Sequence, residues 1–247
     1  SMGHLSKLRK VLEERIALLA PSRRLRLALA DEVLTEAAAG RPLRLLDAGC
    51  GDGLLSLAIA KRHPDWSVVG VDRRGDMLER ARARARERGI GNAAFETADL
   101  TQPLPSSGFD AVIAIECLHE IPDDRAALAA IAGALRPGGA LALQVPERDW
   151  RPVLPGSSGI WRDEVRHGYG KDEMTGLLRE AGLEPVAMRP TYRSLVAAAQ
   201  EVCDRIKASL LPVRMLAFPF LAAAVRLEQW RLTWGRPSAF LTIAHRG

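Results

Sequence analysis

Cysteine is scarce in this chain of 247 residues: Cys50, Cys117 and Cys203 are odd in number and far apart. That excludes a disulfide scaffold, gives no CxxC zinc spacing, and points to a reducing compartment, here the cytoplasm. Aromatics are 5% of the residues, few for the stacking platforms that bind single-stranded nucleic acid. Long apolar runs are missing too. The longest, Met215 to Val225, has eleven residues, against the roughly 20 that span a bilayer, and no signal-peptide hydrophobic region opens the chain. Ser1 ahead of Met2 reads as a cloning remnant. Lysine is rare: of 35 basic residues only Lys7, Lys10, Lys61, Lys171 and Lys207 are lysines, and the net charge is +5. The arginines Arg82, Arg84, Arg86 and Arg88 fall at a spacing of two in a helix-forming stretch, which spreads them round the cylinder as a solvated face rather than a nucleic-acid patch.

What is present is alternation. Two helices, about Leu5–Ala20 and Arg24–Ala39, are broken at Pro21-Ser22 and ended by Gly40. Strands are expected at Leu43–Asp47, Ser67–Val71, Ala93–Glu96, Phe109–Ile115 and Ala140–Val145, with helices at Leu54–Arg62, Met77–Arg88 and Asp124–Leu135 between them. Buried strands alternating with helices of about ten residues mean βαβ units and a parallel sheet covered on both faces. Ligands then bind at the carboxyl ends of the strands, near the switch point. Later the alternation breaks. A helix at Lys171–Ala181 and strands at Glu184–Arg189 and Ser238–His245 enclose about forty-five residues of helical spacing interrupted at Pro212 and Pro219.

Five motifs carry the chemistry. The first is Leu45-Leu46-Asp47-Ala48-Gly49-Cys50-Gly51-Asp52-Gly53, placed between a strand and a helix. Its spacing is G-x-G-x-G; a dinucleotide fingerprint would need glycine where Leu54 stands, which disfavours an oxidoreductase. A pyrophosphate would be repelled by Asp47 and Asp52, whereas a ligand bearing an ammonium group would be attracted. The second is Val68-Val69-Gly70-Val71-Asp72, whose acid at a strand end is placed to accept hydrogen bonds from ribose hydroxyls. The others are Thr97-Ala98-Asp99-Leu100, the stretch Phe109 to Glu120, and the turn Leu135-Arg136-Pro137-Gly138-Gly139.

In the order and spacing of these motifs, over Leu43 to Val145, the sequence resembles the class I S-adenosylmethionine-dependent methyltransferases, of the small-molecule, type 11-like kind. The resemblance implies an α/β, Rossmann-like, seven-stranded and mostly parallel sheet with an antiparallel last strand, helices on both faces, and helical cap insertions. It implies one domain over 1–247, with N-terminal helices (1–40), a cofactor-binding core (41–146), and substrate-side covers (147–170 and 192–235). It assigns the methionine part of S-adenosylmethionine to Asp47, Gly49 and Gly51, the ribose to Asp72, and the adenine edge to Asp99 with the Leu100 backbone. Glu116 and Cys117 fall beside the methionine part and sulfonium. One departure is Arg73, where the family has an apolar residue packed on adenine; its stem or guanidinium plane can stack there instead.

The sulfonium is an activated methyl donor, so transfer is an in-line displacement, and S-adenosylhomocysteine is the product. A hydroxyl acceptor must also lose its proton. His119 and His167 are the candidate bases, with plainer readings left open: His119 fixing the cofactor-side loop, His167 capping the helix at Lys171. His63 and His245 read as structural, Cys50 and Cys117 as small packing residues, and no three-ligand metal set is apparent. The covers hold Trp150, Trp161 and the apolar residues Leu210, Leu211, Met215, Phe218, Phe220 and Leu221. These either pack on the domain or line a pocket for a hydrophobic, natural-product or lipid-like acceptor in secondary metabolism, methylated at oxygen. A methyltransferase acting on RNA or protein, and a non-catalytic cofactor-binding scaffold, are the alternatives. A homodimer is left open.

Overall fold

In this computed structural model the described residues are 21–156, 165–192, 194–206, 219–220, 222–227, 235 and 237–247. The elements run α1 (Pro21–Ala38), β1 (Arg44–Ala48), α2 (Leu54–Arg62), β2 (Ser67–Asp72), α3 (Gly75–Glu87), β3 (Ala93–Thr97), β4 (Phe109–Ile115), a 3-10 turn (Leu118–Glu120), α4 (Asp124–Ala134), β5 (Leu135–Pro146), α5 (Lys171–Glu180), β6 (Leu183–Thr191), α6 (Ser194–Ile206) and β7 (Ala239–Arg246). The sheet order is β3-β2-β1-β4-β5-β7-β6. Strands β1 to β5 pair in parallel, while β7 is antiparallel to both β5 and β6. The expected seven-stranded, Rossmann-like sheet with an antiparallel last strand is therefore present.

The near-continuous apolar runs of β1 and β4 are explained by burial on both faces, with side chains alternating between them. Leu45, Ala111, Ile113 and Leu241 join Ala30, Val33 and Leu34 of α1 and Ile59 of α2 in one core. Leu46, Val112, Ala114, Leu141 and Leu143 point the other way, to Leu128 and Ile131 of α4 and Met174 and Leu178 of α5. At the start of α4, the Asp123 carboxylate accepts the Ala126 N–H at 2.9 Å, a side-chain N-cap.

Two expectations shift. The second helix begins at Pro21 instead of Arg24, since proline in a first turn gives up an N–H that has no helical partner. Strand β5 begins at Leu135 rather than Ala140, because Leu135 already pairs with Phe109 and a register shift then absorbs the Arg136–Gly139 turn. The helix expected at Leu5–Ala20 lies outside the described residues. Among the described residues no helix is long and apolar enough to cross a membrane.

After β3 the chain returns to the other side of β1, so β1 and β4 flank the switch point, and the carboxyl ends of β1, β2 and β4 converge on one cleft.

Candidate active site

The glycine loop leaves β1 by turning onto β2. The N–H groups of Gly49 and Cys50 both donate to the Val71 carbonyl, at 2.8 and 2.9 Å. Gly49 has φ +75°, and a Cβ there would meet the Cys117 Cβ at 2.6 Å, so no larger residue fits. Gly51 has φ +55° and donates its N–H to Asp72 Oδ2 at 2.8 Å. A Cβ on Gly51 would project toward the Arg74 guanidinium, in the cleft. The loop is tied from outside by Arg84 of α3, whose Nη1 donates to the Asp52 carbonyl at 2.7 Å and pairs with its carboxylate at 3.1 Å.

Asp72 ends β2 with its other oxygen accepting from the Arg74 backbone N–H at 2.9 Å and its Nε at 3.2 Å. Asp47 is buried, and its carboxylate accepts the Ser56 hydroxyl at 2.5 Å. Burial pushes its pKa up to about 6; the Ser56 hydrogen bond opposes this and the nearby Asp72 adds to it. Two buried acids at one cleft, one of them held in the protonatable range, suit a ligand that brings its own positive charge. Thr101 holds the Asp99 carboxyl below its ordinary range through backbone and side-chain hydrogen bonds. Burial pushes the Cys50 and Cys117 thiols far up, so both stay protonated and unreactive at neutral pH.

Two adjoining clefts of about 400 Å³ each open here. Asp72, Arg73, Asp99, Leu100 and Cys117 line the first. Asp47, Gly51 and Glu116 line the second, and Gly49 and Arg74 line both. All nine residues expected to bind cofactor are thus brought together. Arg26 and Leu27 of α1 also line the second cleft. They were missed from sequence, although Arg26 leaves a signal. It lies one turn before Ala30 and two before Val33, a charge on the buried apolar stripe of its helix.

A third, smaller cavity of about 90 Å³ adjoins the second and shares Arg26 and Glu116 with it. Its other walls include Pro146, Trp150, Tyr192, Ala197, Gln200 and Ala239. Arg26 Nε donates to the Tyr192 hydroxyl at 2.8 Å, and burial pushes the Tyr192 pKa up to about 12. Glu116 and Tyr192 both have left-handed backbone, with φ +56° and +51°, a costly conformation that concentrates at functional sites.

Neither histidine expected as a base lines any of these three cavities. His119 is turned inward by the 3-10 turn and is 2% exposed. Its carbonyl accepts the N–H groups of Val165 and Arg166, at 3.1 and 3.3 Å, and so anchors the stretch leading to α5. Burial, aided by the charge of Arg26, lowers its pKa to about 4. His167 stands behind Trp150, its ring stacked on the indole at 5.3 Å with Nε2 3.2 Å from the Trp150 carbonyl. His63 stacks on Trp66 and bonds to Asp31 at 2.9 Å. Of the apolar cover residues, Phe220 is described and is 79% exposed; Leu210, Leu211, Met215, Phe218, Leu221 and Trp161 lie outside the described residues. Among the described residues no group of three or more His, Cys, Asp or Glu could hold a metal ion.

A model of a family described as methyltransferase domain matches residues 45–139, which span β1 through the start of β5. The chain is similar to a 27-O-demethylrifamycin SV methyltransferase of Amycolatopsis mediterranei, at 34% identity over 80% of this chain and 71% of that protein. It is also similar to a trans-aconitate 2-methyltransferase of Methylobacterium radiotolerans, at 34% identity over 70% of this chain and 64% of that protein. The chain thus spans about two thirds of the length of these relatives. Among solved structures, the fold is shared with coclaurine N-methyltransferase bound to N-methylheliamine and SAH, with TM-score 0.63 and 17% identity, covering 89% of this chain and 72% of that one. The glycine loop between two acidic strand ends, together with the first of these relatives, shows that the chain belongs to the class I S-adenosylmethionine-dependent methyltransferases and is an enzyme whose cofactor is S-adenosylmethionine.

Proposed function

We propose that this enzyme transfers the methyl group to an oxygen of a small, largely apolar acceptor. The observation that carries this reading is the third cavity, which meets the second cleft at Arg26 and Glu116 and sets the apolar surfaces of Trp150, Tyr192, Pro146, Ala197 and Ala239 beside the polar Gln200, Glu201 and Ser238. A pocket of that size takes the reactive end of a small molecule. The names of both curated relatives, 27-O-demethylrifamycin SV and trans-aconitate methyltransferases, refer to small organic acceptors, in support of the same reading.

Residue by residue, Asp47 would face the methionine ammonium, and the backbones of Gly49 and Gly51 would pass close beside it. Asp72 would accept the ribose hydroxyls, sharing its carboxylate with Arg74. Arg73 and Leu100 would flank the adenine, Asp99 its edge, and Glu116 and Cys117 the sulfonium. The cofactor when bound supplies a methyl group already activated for displacement. What this chain's residues add is alignment of nucleophile and methyl carbon, worth on the order of 7–11 kcal/mol, and removal of the acceptor proton, worth about 10²–10⁴-fold.

Against an RNA acceptor stands the commitment of the arginine run. Arg82 bonds the Phe95 carbonyl and Glu79, and Arg84 bonds Asp52. The test is transfer of labelled methyl from S-adenosylmethionine to cell extract separated into small-molecule, RNA and protein fractions. Label in the small-molecule fraction is expected; label confined to RNA or protein would overturn the reading.

A further inference from the structure

We propose that Glu116 takes the proton from a hydroxyl on the flat, ring-sized end of the acceptor seated between Trp150 and Tyr192, with Arg26 facing the oxygen as its negative charge develops. This inference rests on the small-molecule reading above. Its first support is position. Where the second and third cavities meet, Glu116 and Arg26 line both, so they stand where an acceptor atom and a methyl group would come together. Its second is shape. Trp150 is held flat by its stack on His167, Pro146 and Ala239 add small apolar walls, and about 90 Å³ is room for roughly one ring. Its third is an unmet hydrogen bond. The buried Trp150 Nε1 has no partner among the described residues, and an oxygen on the ligand would satisfy it.

The surroundings of Glu116 fit the task. It sits in the left-handed conformation just past β4, and its N–H donates to the Gln144 carbonyl at 3.0 Å. The charged and titratable groups lining the two cavities around it are Arg26 from α1, Tyr192 from beyond β6, Asp47, Cys50, Asp52 and Arg74 at the glycine loop, and Glu201 of α6, whose two carboxylate oxygens accept the Val153 and Leu154 N–H groups at 2.8 Å. The step balances. The acceptor oxygen forms a bond to the methyl carbon, the carbon–sulfur bond breaks with its electron pair passing to sulfur, and the hydroxyl proton goes to a carboxylate oxygen of Glu116. Neither histidine has this position.

The test compares two phenols as probes at pH 8 with saturating S-adenosylmethionine: 4-methylphenol, which must lose its proton during transfer, and 4-nitrophenol, which is already largely ionised. Glu116→Gln is expected to lower kcat/KM about twentyfold more for 4-methylphenol than for 4-nitrophenol, whatever loss the two share through the cofactor side of Glu116. Equal losses on both probes would overturn the assignment, because damage to shape or cofactor binding does not depend on acceptor acidity. Methylation of neither probe by the wild-type enzyme would overturn the ring-sized hydroxyl acceptor. Calorimetry with S-adenosylhomocysteine separates the two levels of the argument. Normal binding with equal losses rejects Glu116 alone, and no binding by the wild-type enzyme rejects the methyltransferase reading beneath it.

Discussion

At Asp47 the demands of binding and of folding conflict. Its folded pKa of about 6 lies above the 3.8 of an ordinary aspartate. The folded state therefore binds the proton more tightly, and stability is lost as pH rises from 3.8 through about 6, above which the cost of the ionised carboxylate is complete. Asp47→Asn is expected to stabilise the cofactor-free enzyme by on the order of 2–3 kcal/mol at pH 8. The gain should shrink on acidification and vanish below pH 4, where both states of the wild type are protonated. Urea unfolding at pH 8, 6 and 4 checks this, and calorimetry should show S-adenosylhomocysteine affinity falling in the same variant. His119 behaves oppositely. Its pKa is lowered to about 4 from 6.5, so the unfolded chain binds the extra proton between these values and stability falls as pH drops through that window. His119→Phe should flatten stability between pH 4 and 6.5, removing a slope worth about 3 kcal/mol across the window; an unchanged slope in acid unfolding would assign it to another group.

At the scale of elements, two arginines fix pieces of chain that carry no regular structure. Arg84 binds the glycine loop to α3 through Asp52. Arg84→Ala is expected to weaken S-adenosylhomocysteine binding roughly tenfold, about 1.4 kcal/mol, with little change in the melting of the apo protein. Arg166 bonds Asp124 at the start of α4 and Glu173 in α5, and it lies over the Tyr169 ring. Arg166→Met should leave the sheet intact yet speed amide hydrogen exchange at positions 165 and 166, whose N–H groups donate to the His119 carbonyl; unchanged exchange there would mean that the stretch is held by other contacts. This scale also explains what was legible in the sequence. The cofactor residues sit at strand ends and in one loop, where glycine spacing and acid placement are local facts, and β4 was placed at its exact bounds because a buried strand is a continuous apolar run. Arg26 and Tyr192 are 166 positions apart in the chain, and only packing of α1 beside the end of β6 makes them neighbours. That His119 and His167 line none of the three cavities was not legible either, because closeness to a strand end does not say which way a tight turn points its side chain.

At the scale of the whole molecule, the cleft draws on α1, β1, β2 and β4 together, so a ligand that fills it resists global unfolding. S-adenosylhomocysteine at a hundred times its dissociation constant should add about 2.7 kcal/mol. For a chain of this size that is a rise in Tm of roughly 5–10 °C, read by differential scanning calorimetry; no shift would mean that the cleft does not bind it. Strand β7 has a wider consequence. It lies between β5 and β6, and its first residue, Ala239, pairs with Thr191, the last of β6. The ends of the intervening stretch are therefore clamped side by side, and lengthening it costs only a logarithmic loop-closure entropy. Evolution or an engineer could exchange that stretch wholesale for a different acceptor while the cofactor half keeps its shape.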